Sequence, residues 1–196
     1  ILIGTQMVTK GLDFDRVNLV GVFDTDRLLH FPDFRSYERA FQLIIQVSGR
    51  AGRREKQGKV LVQTNNPNQA IFQYVLESNV SSFLSREVSD RQSNFYPPFS
   101  RLIHVIFKHA DKKTCNEAAT WYADKLRKLN LSKVLGPAEP VVSKVRNEFL
   151  HNILVKIPRA VPNLEEIKMN LTKLGNEMNE ENRFKRVTIL FVVDPN

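Results

Sequence analysis

The first sixty-four residues carry short, continuous apolar runs rather than an alternating pattern. The runs are ILIGT (1–5), VNLVGVFD (17–24) and KVLVQT (59–64). Such runs are typical of strands covered on both faces, as in a parallel α/β sheet. Between the last two runs, apolar residues recur at helical spacing over 36–48, and Gly49 or Gly52 is expected to end that helix. The order predicts a βαβ unit.

Prolines divide the rest of the chain. Helices are predicted at roughly 68–77 and 80–92, after Asn66-Pro67. The tandem Pro97-Pro98 fits neither a helix interior nor a central strand, so it indicates a boundary. We therefore expect two domains, 1–95 and 96–196.

The second domain has a regular succession of periodic segments. Strands are predicted at 100–109, 140–146, 149–157 and 187–194, and a helix at 111–129. A second helix is expected to begin at Asn163, with Glu166 three residues later as in a capping box. The order βαββαβ is the ferredoxin-like signature. The predicted fold class is α/β: part of a parallel-sheet domain, followed by a smaller α+β domain.

Charge is distributed unevenly between these halves. The net charge of the 196 residues is +8, and residues 1–95 have 12 basic and 10 acidic residues against 17 and 11 in 96–196. A basic excess indicates an acidic partner, most simply nucleic acid, although solvated basic surfaces are common. One cysteine excludes a disulfide framework. No membrane-spanning run or signal peptide is visible, and the strand-like start without Met suggests a piece of a longer chain.

The segment QVSGRAGRREKQGKV (46–60) concentrates positive charge on a glycine-rich turn. The guanidinium groups of Arg50 and Arg53 match phosphate oxygens bidentately, and the glycines allow close approach to a ligand. That pattern suits a γ-phosphate reached from outside a phosphate loop. The alternative is a solvated basic loop at a helix C-terminus, where positive charge is favourable.

Several motifs together resemble one helicase family. GTQMVTKGLDF (4–14) and QVSGRAGR resemble motifs V and VI of superfamily 2 helicases. The segments PDFRSYER, YPPFSRL, VLGPAEPVVSKVRNEFLHNILVKI and VVDP extend the similarity over the whole chain. The chain resembles the primosomal replication-restart DNA helicases, the primosomal protein N-prime family.

The resemblance implies an ATP-driven, 3′-to-5′ DNA helicase that reloads the replicative helicase at abandoned forks. This chain would be the C-terminal part of a RecA-like helicase lobe 2 and the family's C-terminal domain, in a bacterial cytoplasmic protein. ATP and Mg²⁺ would bind in a site that a missing lobe completes, and zinc would bind only upstream in the full-length parent. Partners would be DNA, single-strand-binding protein and other primosome proteins.

Motif matching also implies individual roles. Arg50 and Arg53 would touch the γ-phosphate across the cleft, where an arginine finger can contribute about 10³–10⁵ in rate. The nucleotide-side positions are Gln46, Gly11 and Asp13. The positions beside the DNA backbone are Thr5, Gln6 and Lys10.

Other chemistry is weaker or missing. GRREKQGKV (52–60) has the wrong spacing for a phosphate loop and Val where Ser or Thr must hold magnesium. Asp24 and Asp26 suit a metal less well than hydrogen bonds to Arg27 and Arg35. Cys115 is expected in the core, and the four histidines show no ligand spacing. Trp121 could stack on a base but more simply packs.

Basic residues in the second domain suggest contacts with a DNA backbone. Lys144, Arg146 and Lys156 fall on predicted strands, and Lys185 and Arg186 precede the last one. Two function classes remain open: part of a restart helicase, or a non-catalytic nucleic-acid-binding module. An upstream phosphate-loop lysine and acidic DExH strand would decide for the helicase.

Overall fold

The computed structural model describes residues 3–4, 17–49, 51, 58–130, 133–160 and 163–194. The chain has α and β elements throughout and divides into two compact units, Ile1–Asp90 and Arg91–Asn196. The division falls in the last turn of a helix, ahead of Pro97-Pro98.

The first unit pairs two parallel strands and packs helices against them. Its described elements are β1 (Leu19–Val22), α1 (Thr25–Leu29), α2 (Ser36–Ser48), β2 (Lys59–Val62), α3 (Ala70–Leu76) and α4 (Val80–Ser93). Leu19 pairs with Lys59 and Val22 with Val62. The predicted βαβ order is confirmed over these residues, whereas α1 has no sequence prediction. The predicted strand at 1–5 lies mostly outside the described residues.

Helix α2 forms because its apolar residues share one face. Ala40, Phe41, Ile44 and Val47 are buried, and the helix ends at Gly49, whose N–H donates to the Ile45 carbonyl at 3.0 Å. The ring of Phe41 stacks on Phe83 of α4 at 4.0 Å between centroids. This contact joins α4 to the core of the first unit.

The second unit is an antiparallel sheet. Its elements are β3 (Ser100–His109), α5 (Lys112–Lys128), β4 (Lys133–Ala138), β5 (Lys144–Val145), β6 (Glu148–Pro158), α6 (Leu164–Glu180) and β7 (Thr188–Val193). The strand order is β4-β6-β3-β7, and β5 pairs with β6. Odd-numbered residues of β3 and β6, such as Val105 and Ile153, pack with α5 and α6 in one core. Both helices begin at side-chain caps: Asp111 accepts from the Thr114 N–H, and Asn163 from the Glu166 N–H, as predicted for Asn163.

The strand predicted at 140–146 is wrong in most of its length. The long partner of β6 on this side is β4, and only Lys144 and Val145 of the predicted segment are extended and paired. Gly136 lies within β4 at a φ of +97°, where an added Cβ would lie 2.7 Å from the Asn152 carbonyl oxygen. The strand therefore requires a residue that sequence patterns count as a breaker.

Candidate nucleotide and nucleic-acid interface

Most of the residues predicted to contact the nucleotide or the DNA backbone in the first domain lie outside the described residues. These are Thr5, Gln6, Lys10, Gly11, Asp13, Arg50 and Arg53. Gln46 is described and lies in the last turn of α2, on the exposed side opposite the buried Ile44 and Val47. Gln46 precedes Arg50 by four residues in the sequence.

Asp26, at the start of α1 shortly after β1, has a structural role. The Asp26 carboxylate accepts hydrogen bonds from the Thr64 hydroxyl at 2.6 Å and the Asn65 N–H at 2.7 Å. These bonds hold the pKa of Asp26 below its ordinary value, with Thr64 the largest cause. The carboxylate thus ties the ends of β1 and β2 together.

The hydrogen bond expected between this acidic segment and Arg35 is replaced by a contact of Arg35 with Asp33. Arg35 and Arg39 lie beside Asp33, at 4.0 and 2.8 Å. Across the described ranges, no group of three His, Cys, Asp or Glu side chains is placed to hold a metal ion.

Lys144 and Arg146 lie on a tight hairpin between β5 and β6. Arg146 and Asn147 form its two-residue turn with φ values of 49° and 68°, the left-handed conformation that such turns require. Lys144 pairs with Phe149, and its Nζ lies 4.8 Å from that ring's centroid. Both basic side chains are exposed. We define the basic hairpin as residues 144–149.

Lys156 does not face solvent, which corrects its assignment to a DNA-tracking surface. Its side chain is 3% exposed, and its Nζ donates to the Asn94 carbonyl at 2.8 Å and lies 3.3 Å from the centroid of the Tyr96 ring. Burial lowers the pKa of Lys156, and Lys133 nearby lowers it further. Lys156 therefore anchors residues 94–96 to the sheet, while Lys185 and Arg186 are exposed.

The single cysteine and the tryptophan are packing residues. Cys115 is fully buried in α5, and burial raises the pKa of its thiol to about 11. Trp121 is half-buried and meets Phe184 edge-on, at 6.3 Å between centroids. The expectations that Cys115 belongs to the core and that Trp121 packs are confirmed.

His151 lies buried beside a surface ion pair that sequence reasoning missed. The Lys112 ammonium contacts the Glu139 carboxylate at 2.5 Å, and His151 Nε2 lies 4.0 Å from the same oxygen. The pKa of His151 is lowered, chiefly by burial. These three side chains connect the start of α5 to the segment after β4, so we assign them a structural role.

The second unit also matches a known family. Residues 92–196 match the family model described as "Primosomal protein N C-terminal domain". The chain belongs to this family. The match covers all of β3 to β7, as well as residues 94–96, which Lys156 holds.

Proteins called "Replication restart protein PriA" are similar to this chain along its length. The one from Bacillus subtilis is 35% identical over 198 residues, covering 100% of this chain and 24% of the relative. The Thermotoga maritima protein is 37% identical, covering 85% and 22%, and the Rickettsia felis protein 41%, covering 79% and 24%. The chain thus spans about a quarter of the length of these primosomal relatives.

Phe95 is a residue that sequence analysis of this primosomal domain overlooked. It is 45% exposed, and its backbone is in the left-handed region at φ 54°. Its carbonyl accepts a hydrogen bond from the Ser100 hydroxyl at 2.7 Å, and the Lys133 Nζ lies 5.6 Å from its ring centroid. The only sequence signal is its place before the proline pair, which indicates a boundary and hides the aromatic residue.

None of the helices in the described ranges is long and apolar enough to cross a membrane.

Proposed function

We propose that this chain is the C-terminal part of an ATP-dependent, 3′-to-5′ DNA helicase that acts in bacterial replication restart. The carrying observation is the 35% identity to a replication restart protein over the full length of the chain. The match to a primosomal C-terminal domain supports the same role. The parent would act in the cytoplasm on stalled or abandoned forks, with single-strand-binding protein and other primosome proteins as partners.

The first unit would be the end of a RecA-like lobe. A parallel pair with helices on one face supports this assignment. Its other face carries exposed Leu19 and Leu61, and parallel strands normally have both faces covered. Further residues of the parent would cover this face. In that lobe, Gln46, Gly11 and Asp13 would adjoin ATP and Mg²⁺, with zinc bound elsewhere in the parent.

The second unit would be a ferredoxin-like domain. Apart from the short β5, its elements follow the order βαββαβ, and the strand order β4-β6-β3-β7 supports the assignment. Its exposed basic hairpin would contact DNA phosphates, while Thr5, Gln6 and Lys10 would contact the backbone from the helicase lobe. The chain alone would then bind DNA without completing an ATP site.

We predict that the purified 196-residue chain hydrolyses no ATP, with or without DNA. A phosphate-loop motif and an acidic DExH strand are missing from its sequence, so the nucleotide's phosphates and Mg²⁺ lack their main ligands. Phosphate release measured with and without oligonucleotide checks this. DNA-stimulated turnover by this chain alone would contradict the bipartite site, whereas turnover by the full-length parent is expected.

We also predict that neutralising the basic hairpin weakens DNA binding equally for every sequence. The variant combines Lys144→Gln with Arg146→Asn, because Asn tolerates the left-handed backbone of position 146. Loss of two phosphate contacts should flatten the log–log salt slope for duplex DNA by about 1.8. Fluorescence anisotropy between about 50 and 200 mM salt measures both effects.

The matched control for the hairpin variant combines Lys113→Gln with Lys173→Gln. Both lysines are exposed on helices, and their replacement removes the same charge as the hairpin variant does. Equal weakening by the control would show that net charge, rather than the hairpin, drives binding. A non-catalytic nucleic-acid-binding module would bind DNA in the same way as part of a helicase. ATP hydrolysis by the full-length parent therefore distinguishes these two function classes.

A further inference from the structure

The sheet of the second unit has one face that α5 and α6 leave open. The helices pack on odd-numbered residues of β3 and β6, so the even-numbered residues point the other way. Strand pairing aligns these residues in four rows across the sheet. The rows are Lys133, Lys156 and Leu102; Leu135, Leu154, His104 and Val192; Ala138, Asn152, Ile106 and Leu190; and Leu150, Lys108 and Thr188.

This open face is mostly apolar in the middle and has a lysine at each end. Leu135, Leu190 and Val192 are exposed in the central rows. Lys133 lies in the first row and Lys108 in the last. The paired strand residues of the four rows include no carboxylate. Asp194, which follows β7, donates its N–H to the Leu102 carbonyl, and its carboxylate accepts from the Leu102 N–H, so one acidic group adjoins the Lys133 end. Along β6 the next residue of this face is Glu148, beyond the last row. An apolar centre with a lysine at each end complements a partner that carries both apolar groups and negative charges.

The aromatic residue Phe95 lies at the Lys133 end of the open face. Lys156, in the same row, holds the Asn94 carbonyl and the Tyr96 ring, so the segment between them lies over this end of the sheet. Bonding of the Phe95 carbonyl to Ser100 fixes the backbone in an uncommon left-handed conformation. An exposed ring held in this way, with a lysine ammonium beside it, has the parts of a base-stacking site with a phosphate contact.

We propose that the open face binds single-stranded nucleic acid, with one base stacked on Phe95 and phosphates near Lys133 and Lys108. Four rows spaced by two residues span about 20 Å, which accommodates several nucleotides. Site sizes of about 4–16 nucleotides are usual for single-strand-binding modules. The inference rests on the DNA role proposed above, but it assigns a surface distinct from the basic hairpin and a single-stranded ligand.

The test measures the affinity of the 196-residue chain for an oligothymidine of about 12 nucleotides. Phe95→Ala should weaken binding about 5- to 150-fold, because base–aromatic stacking contributes about 1–3 kcal/mol. Phe95→Trp should retain it. An oligonucleotide of the same length made of abasic nucleotides keeps the phosphates, so its weaker binding should be insensitive to Phe95→Ala. Affinity for blunt duplex should also be unchanged by that variant.

Phe191→Ala is the matched control. Phe191 is 41% exposed in the same sheet, but it is odd-numbered and lies on the helix side near Gly175. Thermal unfolding of both variants checks that the unit remains folded. For the charged ends, Lys133→Gln with Lys108→Gln should weaken oligothymidine binding more than Lys113→Gln with Lys173→Gln.

Several results would overturn the proposal. Unchanged oligothymidine affinity in Phe95→Ala, or an equal loss for the abasic oligonucleotide, excludes stacking on this ring. Equally effective displacement by an oligoglutamate peptide of matched charge would assign the face to acidic protein segments. Failure of the wild-type chain to bind any DNA at low salt overturns the proposed DNA role as well, whereas each of the other three results overturns only the open-face site.

Discussion

Replacing Arg53 with alanine in the full-length parent is expected to abolish DNA-stimulated ATP hydrolysis while leaving nucleotide binding largely intact. A guanidinium supplied from a second lobe stabilises the charge that develops on the transferred phosphoryl group, which the bound ground state does not have. The expected loss in turnover is about 10³–10⁵-fold. Steady-state hydrolysis with saturating DNA, together with titration of a fluorescent ATP analogue, measures both quantities.

Arg54→Ala is the control for this prediction. Arg54 adjoins Arg53 and carries the same charge, but it lies outside the GRAGR spacing that matches the helicase motif. It should retain most of the turnover. Weaker nucleotide affinity with normal turnover at saturation in Arg53→Ala would contradict a finger acting on the transition state and would place Arg53 in ground-state binding instead.

The helices of the second unit were predictable because their signals are local. Helix α6 has a capping residue at Asn163 and a buried stripe that includes Ile167, Leu171 and Leu174. Strand β3 alternates strictly between buried and less buried residues over most of its length. Strand β4 was missed because it contains Gly136 and Pro137, two residues that usually interrupt strands. Glycine is required at 136 because the backbone there lies close to β6. The contact between β4 and β6 joins residues that are distant in the sequence, so a local sequence pattern does not predict it.

The candidate site residues also differ in whether local sequence determines their surroundings. Lys144 lies on a strand, as predicted, whereas Arg146, predicted on the same strand, lies in the turn of the hairpin; both side chains are exposed. Lys156 has the same sequence signal, a lysine on a strand, but the segment 94–96, some sixty residues earlier, covers it. The role of Phe95 depends on the same contact. The basic turn at Arg50 and Arg53 stays a prediction from sequence, as do the motif V residues.

The largest stability effect is expected at Tyr122, where α5, α6 and β3 meet. Its side chain is fully buried, its ring meets Phe107 edge-on at 5.3 Å between centroids, and its hydroxyl donates to the Leu171 carbonyl at 2.6 Å. Burial raises the pKa of Tyr122 above its ordinary value, so the donor proton is retained. Tyr122→Ala should lower the free energy of unfolding of the second unit by about 3–5 kcal/mol, from lost apolar burial and the cavity left behind.

Tyr122→Phe separates the hydrogen bond from the packing of the ring. It removes only the hydroxyl, and the expected loss is about 0.5–1.5 kcal/mol. Thr120→Ala, on the exposed side of the same helix, should change the free energy of unfolding by less than about 0.5 kcal/mol. Because the chain has two units, urea unfolding should be followed at amides of β3 and β6, so that the first unit does not contribute. A Tyr122→Phe loss as large as that of Tyr122→Ala would show that the bond to Leu171, rather than the ring, holds α5 against α6. A loss under about 1 kcal/mol in Tyr122→Ala would mean that the surrounding side chains collapse into the space of the ring.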